Sequence, residues 1–192
     1  SLAEGKIPML RSRCDAADAV AAVSPKLAEG VRSCGTKTPV YTVYNGFAVS
    51  HLSSAEKIPH RIVQVGSLVP SKHYGDTLRA VARLRRSYPD VTLAIVGGGV
   101  KRTRLEALCR ELGLTDCAQF LGHLPNGEAL AEMAKAEFFV MPSHPEGFGI
   151  VYLEAMASGC VTIGTAGEGI DGFIHSGENG FLVPPDDPDA IV

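Results

Sequence analysis

Short apolar runs alternate with amphipathic stretches along most of the chain, and from residue 61 the alternation is regular. Runs at 62–65, 92–96, 118–121, 138–141, 161–163 and 181–183 have the length and composition of buried strands. The stretches at 76–87, 102–112 and 128–135 carry apolar residues at helical spacing. In the first of these, Leu78, Val81, Ala82 and Leu84 fall on one side, with Arg79, Arg83, Arg85 and Arg86 mostly on the other. That arginine face reads as solvated, with contact to an anionic membrane as the alternative. Upstream, residues 19–23 read as a strand, and Ser24-Pro25 as the N-cap and first position of a helix reaching about residue 34. A further strand at 40–44 ends in the turn pair Asn45-Gly46. Residues 1–17 are weakly patterned, helical over 9–17, and residues 47–60 have no period and read as a linker. Strands separated by helices of ten or so residues predict βαβ units: an α/β domain with a parallel sheet covered by helices on both faces.

In such Rossmann-like sheets ligands bind beyond the C-terminal ends of the strands. Those ends are Gly66-Ser67, Gly97-Gly98, Gly122-His123, residues 142–149 and residues 164–168, which predicts a pocket lined by backbone. The richest of them is PSHPEGFGIVYLEAMASG, residues 142–159. After a buried strand comes a Pro/Gly turn holding Glu146, then a helix from about Gly149 to Gly159. Between Ile150 and Ala157 only Glu154 is neither apolar nor aromatic, so the helix reads as buried all round, with one carboxylate in need of a partner. Gly147 and Gly149 let amides approach a ligand closely, and the helix start adds unpaired N–H groups and the positive dipole end. Amides that attract an anion and a carboxylate that takes hydroxyls, one turn apart, suit a sugar diphosphate.

The bulk properties narrow the classes. With 45% hydrophobic and 20% charged residues, the 192-residue chain is globular and long enough for one domain plus a piece of another. The net charge of −3, without a dense Lys/Arg run, argues against nucleic acid as partner. Five cysteines without a CxxC pair fit reduced thiols in a cytoplasmic protein. No apolar run approaches the roughly 20 residues that cross a bilayer. His51, His60, His144 and His175 show no ligand spacing, His144-x-Glu146 included, and no bound metal or cofactor is expected.

Glu146 and Glu154, with seven residues between them in EGFGIVYLEAMASG, resemble the E-x7-E signature of retaining glycosyltransferases of the two-domain GT-B type, glycosyltransferase family 4 in particular. The resemblance runs from about Asp18 to the end of the chain. It implies that residues 61–192 form the nucleotide-sugar donor-binding domain, the C-terminal half of a GT-B fold. It also implies that 47–60 are the linker and that 1–46 are the tail of an N-terminal acceptor domain whose bulk is missing. Glu154 is then expected at the ribose hydroxyls, Glu146 near the donor sugar, and the amides of Gly147, Phe148, Gly149 and Ile150 at sugar and diphosphate. Gly97, Gly98 and His123 are expected to flank the base. Lys72 matches the family's diphosphate-binding lysine. The arginine that usually accompanies it is replaced by Ser67, able to donate one neutral hydrogen bond, and the glycine that usually follows it by His73. The implied reaction moves a sugar from a nucleotide diphosphate to an acceptor hydroxyl of an unknown glycan or lipid-linked acceptor, with retention and without a metal, in polysaccharide or glycolipid synthesis. At most peripheral contact with a membrane is implied. Alternatives are a nucleotide-sugar epimerase and a non-catalytic sugar-nucleotide-binding module. A dinucleotide oxidoreductase fits less well, because Gly97-Gly98-Gly99-Val100-Lys101-Arg102 lacks the third glycine of GxGxxG.

Overall fold

The computed structural model describes residues 6–48 and 54–192; part of the expected linker, residues 49–53, and the first five residues of the weakly patterned N-terminal stretch lie outside this range. In chain order, α1 spans Ile7–Asp15, β1 Val20–Ala22, α2 Pro25–Arg32 and β2 Val40–Thr42. Then follow β3 Ile58–Val65, α3 Tyr74–Leu84, β4 Thr92–Val96, α4 Arg102–Glu111, β5 Ala118–Gly122 and α5 Asn126–Lys135. β6 Ala136–Val140, α6 Ile150–Ala157, β7 Val161–Thr165, β8 Phe181–Val183 and α7 Pro188–Ile191 complete the chain.

The helix beginning at Pro25 forms as expected: Ser24 is extended, and its hydroxyl accepts the Leu27 amide at 3.3 Å. β1 and β2 pair in parallel across α2, with Val20 opposite Val40. β3 starts at Ile58, inside the stretch expected as linker; Lys57 anchors that entry by donating to the carbonyls of Ala136 at 2.8 Å and Ser158 at 2.7 Å. α3 begins at Tyr74 and stops at Leu84, short of the expected 87.

The main sheet has six parallel strands in the order β5-β4-β3-β6-β7-β8. Successive residues point to opposite faces, and both faces are covered. Ile62, Leu93, Ile95 and Val140 join a cluster with Tyr74, Leu78 and Leu105, from α3 and α4, and with Leu68 of the loop after β3. Their neighbours Val63, Ala94, Val96 and Phe139 join another with Leu130, Met133, Tyr152 and Leu153, from α5 and α6.

The strand order decides where a ligand can bind. The chain builds outward from β3 through β4 to β5, then returns to place β6 on the other side of β3 and continues to β7 and β8. The order reverses between β3 and β6, and in sheets of this kind the C-terminal ends of the two strands at the reversal are where ligands bind.

Candidate functional site

The loop after β3 supplies Lys72 and the loop after β6 supplies Glu146. At the reversal point they meet: the Lys72 ammonium donates to Glu146 Oε2, with both side chains largely buried. Lys72 is placed by its backbone. Residues Pro70–Lys72 form one 3₁₀ turn, and the Lys72 carbonyl accepts the side-chain amide of Gln64 at 2.8 Å. Gln64 is fully buried in β3, so this turn is tied to the sheet rather than to solvent.

Glu146 is held on every side. Ser143 Oγ donates to its Oε2 at 3.2 Å, and the Gly147 amide donates to its Oε1 at 3.1 Å. The Glu146 amide donates to Glu168 Oε2 at 2.6 Å, and its carbonyl accepts the Gly169 amide at 3.0 Å. Glu168 is itself buried and pairs through Oε1 with Lys26 on α2, at 2.5 Å. Beneath the loop, Tyr152 OH donates to the Met141 carbonyl at 2.6 Å and lies 3.1 Å from Ser143 Oγ. Burial pushes the Tyr152 phenol well above its ordinary range, so it stays a neutral donor.

α6 then starts at Ile150 without a side-chain cap, after Gly149 at φ +78°. A Cβ at Gly149 would lie 2.6 Å from the Tyr152 ring, so both the left-handed backbone and the packing require glycine. The Tyr152 amide closes on the Gly149 carbonyl at 3.0 Å, which leaves the Ile150 and Val151 amides as the donors at the start of α6 that an anion could take.

One sequence expectation is corrected here, and the expected site residues take the places that follow. α6 is not buried all round: Ile150 is 40% exposed and Glu154 half-buried, so burial alone does not force a partner on Glu154. Among the described residues no side chain or backbone group bonds to the Glu154 carboxylate. The Phe148 side chain is core, packed at 5.7 Å centroid separation against Tyr44 and 6.2 Å against Phe173. The Gly147 amide is engaged by Glu146 rather than open. Gly97 serves the protein's own backbone, since a Cβ there would lie 1.9 Å from the Gly66 carbonyl oxygen; a Cβ at Gly98 meets nothing within 4 Å. Ser67 lies on the β3 loop, directly after the Gly66 carbonyl that accepts Tyr74 OH at 2.7 Å, and His123 is exposed after β5. Arg79, Arg83 and Arg85, expected as a solvated face, do lie at the surface, where they pair with Asp76, Asp189 and Asp116.

Sequence spacing also missed a cluster beside the Lys72–Glu146 pair. His73, His144 and Asp186 come from three loops, and their ligand atoms all lie within 4.8 Å of one another. Gln64, Ser143 and Glu168 were missed too. A glutamine inside an apolar strand was the one available signal; nothing local marked the others.

Comparison with known proteins gives a consistent picture. Residues 53–192 match the family model for glycosyl transferases group 1. Over 137 residues the chain is 36% identical to a GDP-mannose-dependent alpha-(1-6)-phosphatidylinositol monomannoside mannosyltransferase of Mycolicibacterium smegmatis, a match covering 68% of this chain and 36% of that protein. It is 35% identical over 129 residues to glycogen synthase of Mycobacterium tuberculosis, covering 67% of this chain and 31% of that one. Anabaena Alr3699/HepE, solved in complex with UDP, superposes with a TM-score of 0.88 at 22% identity, over 99% of this chain and 56% of that one, and so shares its fold. The chain thus spans about a third of the length of these two curated relatives. Among the described residues no helix is long and apolar enough to cross a membrane.

Proposed function

The chain belongs to the glycosyl transferases group 1 family, and from that premise we propose that residues 61–192 bind a nucleotide-diphosphate sugar and form the donor half of a retaining family 4 glycosyltransferase. The observation that carries this reading is the meeting of Lys72 and Glu146 at the reversal point of the sheet, beside the uncapped start of α6. A lone ammonium next to helix-start amides is a receptor for a diphosphate. In the free chain Glu146 occupies that ammonium; on binding, the donor's diphosphate takes its place, and Glu146 turns toward the sugar hydroxyls.

The chemistry follows from charge. As the glycosidic bond to the diphosphate breaks, negative charge grows on the leaving phosphate and positive charge on the sugar ring. Lys72 and the N–H groups at the start of α6 are fixed opposite the former, and Glu146 favours the latter. These protein groups fill the counter-charge role, so the reaction as proposed assigns no metal to the leaving group. Ser67 adds one neutral hydrogen bond where relatives of the resembled family place an arginine. Glu154, without a protein partner among the described residues, takes the ribose hydroxyls, and Gly97, Gly98 and His123 border the base. We assign the acceptor, a glycan or lipid-linked hydroxyl in polysaccharide or glycolipid synthesis, to a further domain of which residues 1–46 are the tail. We propose a cytoplasmic location, at most peripheral to a membrane. Binding of the donor without turnover is the reading that applies to the 192-residue chain tested alone.

The test is a thermal-shift screen against UDP-, GDP- and ADP-sugars, followed by calorimetry on Glu154→Ala. A lost hydrogen bond to a charged group is worth about 1.5–3 kcal/mol, so nucleotide-sugar affinity should fall roughly 10- to 100-fold. Unchanged affinity would remove Glu154 from the site.

A further inference from the structure

We propose that His73, His144 and Asp186, with Asp76, bind one divalent transition-metal ion of the zinc class. The site stands apart from the donor-binding reading: it needs neither nucleotide nor sugar.

Three chain segments converge there. His73 closes the turn after β3, His144 lies in the loop after β6, and Asp186 in the turn between β8 and α7. His73 Nδ1 lies 3.1 Å from Asp186 Oδ1 and 3.1 Å from Asp76 Oδ2, while His144 Nε2 lies 3.3 Å from Asp186 Oδ2. The other nitrogen of His73, Nε2, lies 3.2 Å from the His144 carbonyl. A carbonyl only accepts, so Nε2 carries the hydrogen. That leaves the Nδ1 lone pair aimed at two carboxylate oxygens, which repel it unless a cation sits between them. Metal-ligating histidines show the same arrangement: the distal N–H donates to a carbonyl and the proximal nitrogen faces the ion.

The spacing suits a small ion. With bonds of about 2.0–2.1 Å, the edges of a tetrahedral donor set are about 3.3 Å; the three His–carboxylate separations given above match that length, while the His73–His144–Asp186 donors as a set lie within 4.8 Å and would draw together on binding. Arg79 holds Asp76 through Oδ1 at 3.3 Å, leaving Oδ2 for the ion. Two imidazoles and two carboxylates select zinc, nickel or copper over calcium and magnesium. In the free chain the two rings stack, with centroids 4.6 Å apart and planes 25° apart. Binding turns the His144 ring about Cβ–Cγ so that Nε2 points at the ion; at 35% side-chain exposure it is free of the core. The ion then ties the Lys72 turn, the Glu146 loop and the β8–α7 turn to one point.

Two of the ligands suit a clean test, because His73 and Asp186 have φ +48° and +55°, where glycine is the favoured residue. His73→Gly and Asp186→Gly therefore remove a ligand while relaxing the backbone, and both variants should fold. Tag-free, chelator-treated 192-residue chain is titrated with Zn²⁺ against a chromophoric competitor, and with Co²⁺ by visible absorption. The expected result is one ion per chain, a Co²⁺ spectrum of tetrahedral intensity, and a melting temperature that rises with Zn²⁺. Both glycine variants should lose affinity by at least about 100-fold, together with the Zn²⁺-dependent rise. Zn²⁺ binding equal in wild type and variants would overturn the proposal, since the ion then sits elsewhere. So would the absence of Zn²⁺ and Co²⁺ binding to the wild-type chain.

Discussion

Gly169→Ala tests the central contact of the Glu146 loop. Gly169 is buried, and its backbone carries no left-handed strain, so alanine is disfavoured by space alone. A Cβ there would lie 1.9 Å from the Gly147 oxygen, 2.2 Å from its carbonyl carbon and 2.6 Å from the Phe148 nitrogen. All three atoms are backbone, so no side chain can swing away. Opening the contact from 1.9 Å to the 3.4 Å of ordinary van der Waals approach requires a movement of about 1.5 Å. The hydrogen bond from the Gly169 amide to the Glu146 carbonyl, now 3.0 Å, goes with it. Overpacking of this kind costs about 1–3 kcal/mol, and the lost hydrogen bond about 1 more. The expected loss in urea unfolding is thus roughly 2–4 kcal/mol, with an unchanged m-value. Amide chemical-shift changes should centre on residues 146–149. Gly127→Ala is the control: this glycine lies in α5, and a Cβ there meets nothing within 4 Å. It should be neutral or stabilising by up to about 1 kcal/mol. If Gly169→Ala matched the control, the close approach of the two loops would be refuted, and with it the account of how Glu146 is positioned.

Two further predictions concern charge. Lys72→Met and Glu146→Gln, combined in a double-mutant cycle by urea unfolding, should show a favourable coupling of about 0.5–3 kcal/mol, because both side chains are largely buried; zero coupling would mean that the pair is not formed in solution. Burial raises the pKa of Tyr152, so its contribution to stability is complete below the unfolded phenol value of about 10 and is lost as pH rises beyond it. Alkaline unfolding should therefore begin near that pH and be shallower in Tyr152→Phe, and a variant as pH-sensitive as wild type would remove Tyr152 as the cause.

Much of the fold was readable in the linear pattern. Strands at 62–65, 92–96 and 138–141 declare themselves by short runs of β-branched and aromatic residues, and the helix after Pro25 by its cap. Boundaries were less exact. β3 extends back to Ile58 because Lys57 finds three carbonyls that are remote in sequence, and no local signal carries that. The character of α6 was misjudged for a related reason. Composition said it was apolar all round, but exposure depends on what packs against it, and Ile150 and Glu154, four residues apart, lie on the less buried side of a short helix whose core contacts come from Tyr152, Leu153 and Ala155.

For the site the division is sharper. The sequence alone determined which residue types stand at loop positions after strands: a lysine at 72, a glutamate at 146, glycines that permit tight turns, and a carboxylate one turn into a helix. Such features are local, because periodicity and turn chemistry act over a few residues. Only the tertiary structure decided which loops meet. The reversal of strand order between β3 and β6 brings Lys72 to Glu146 across 74 positions, and Glu168 reaches the Glu146 amide across 22. His73, His144 and Asp186 gather from three turns in the same way, where ligand spacing within one element could not reveal them. Strand order is settled by burial on both faces of the whole sheet at once, a global balance that no single stretch of sequence encodes.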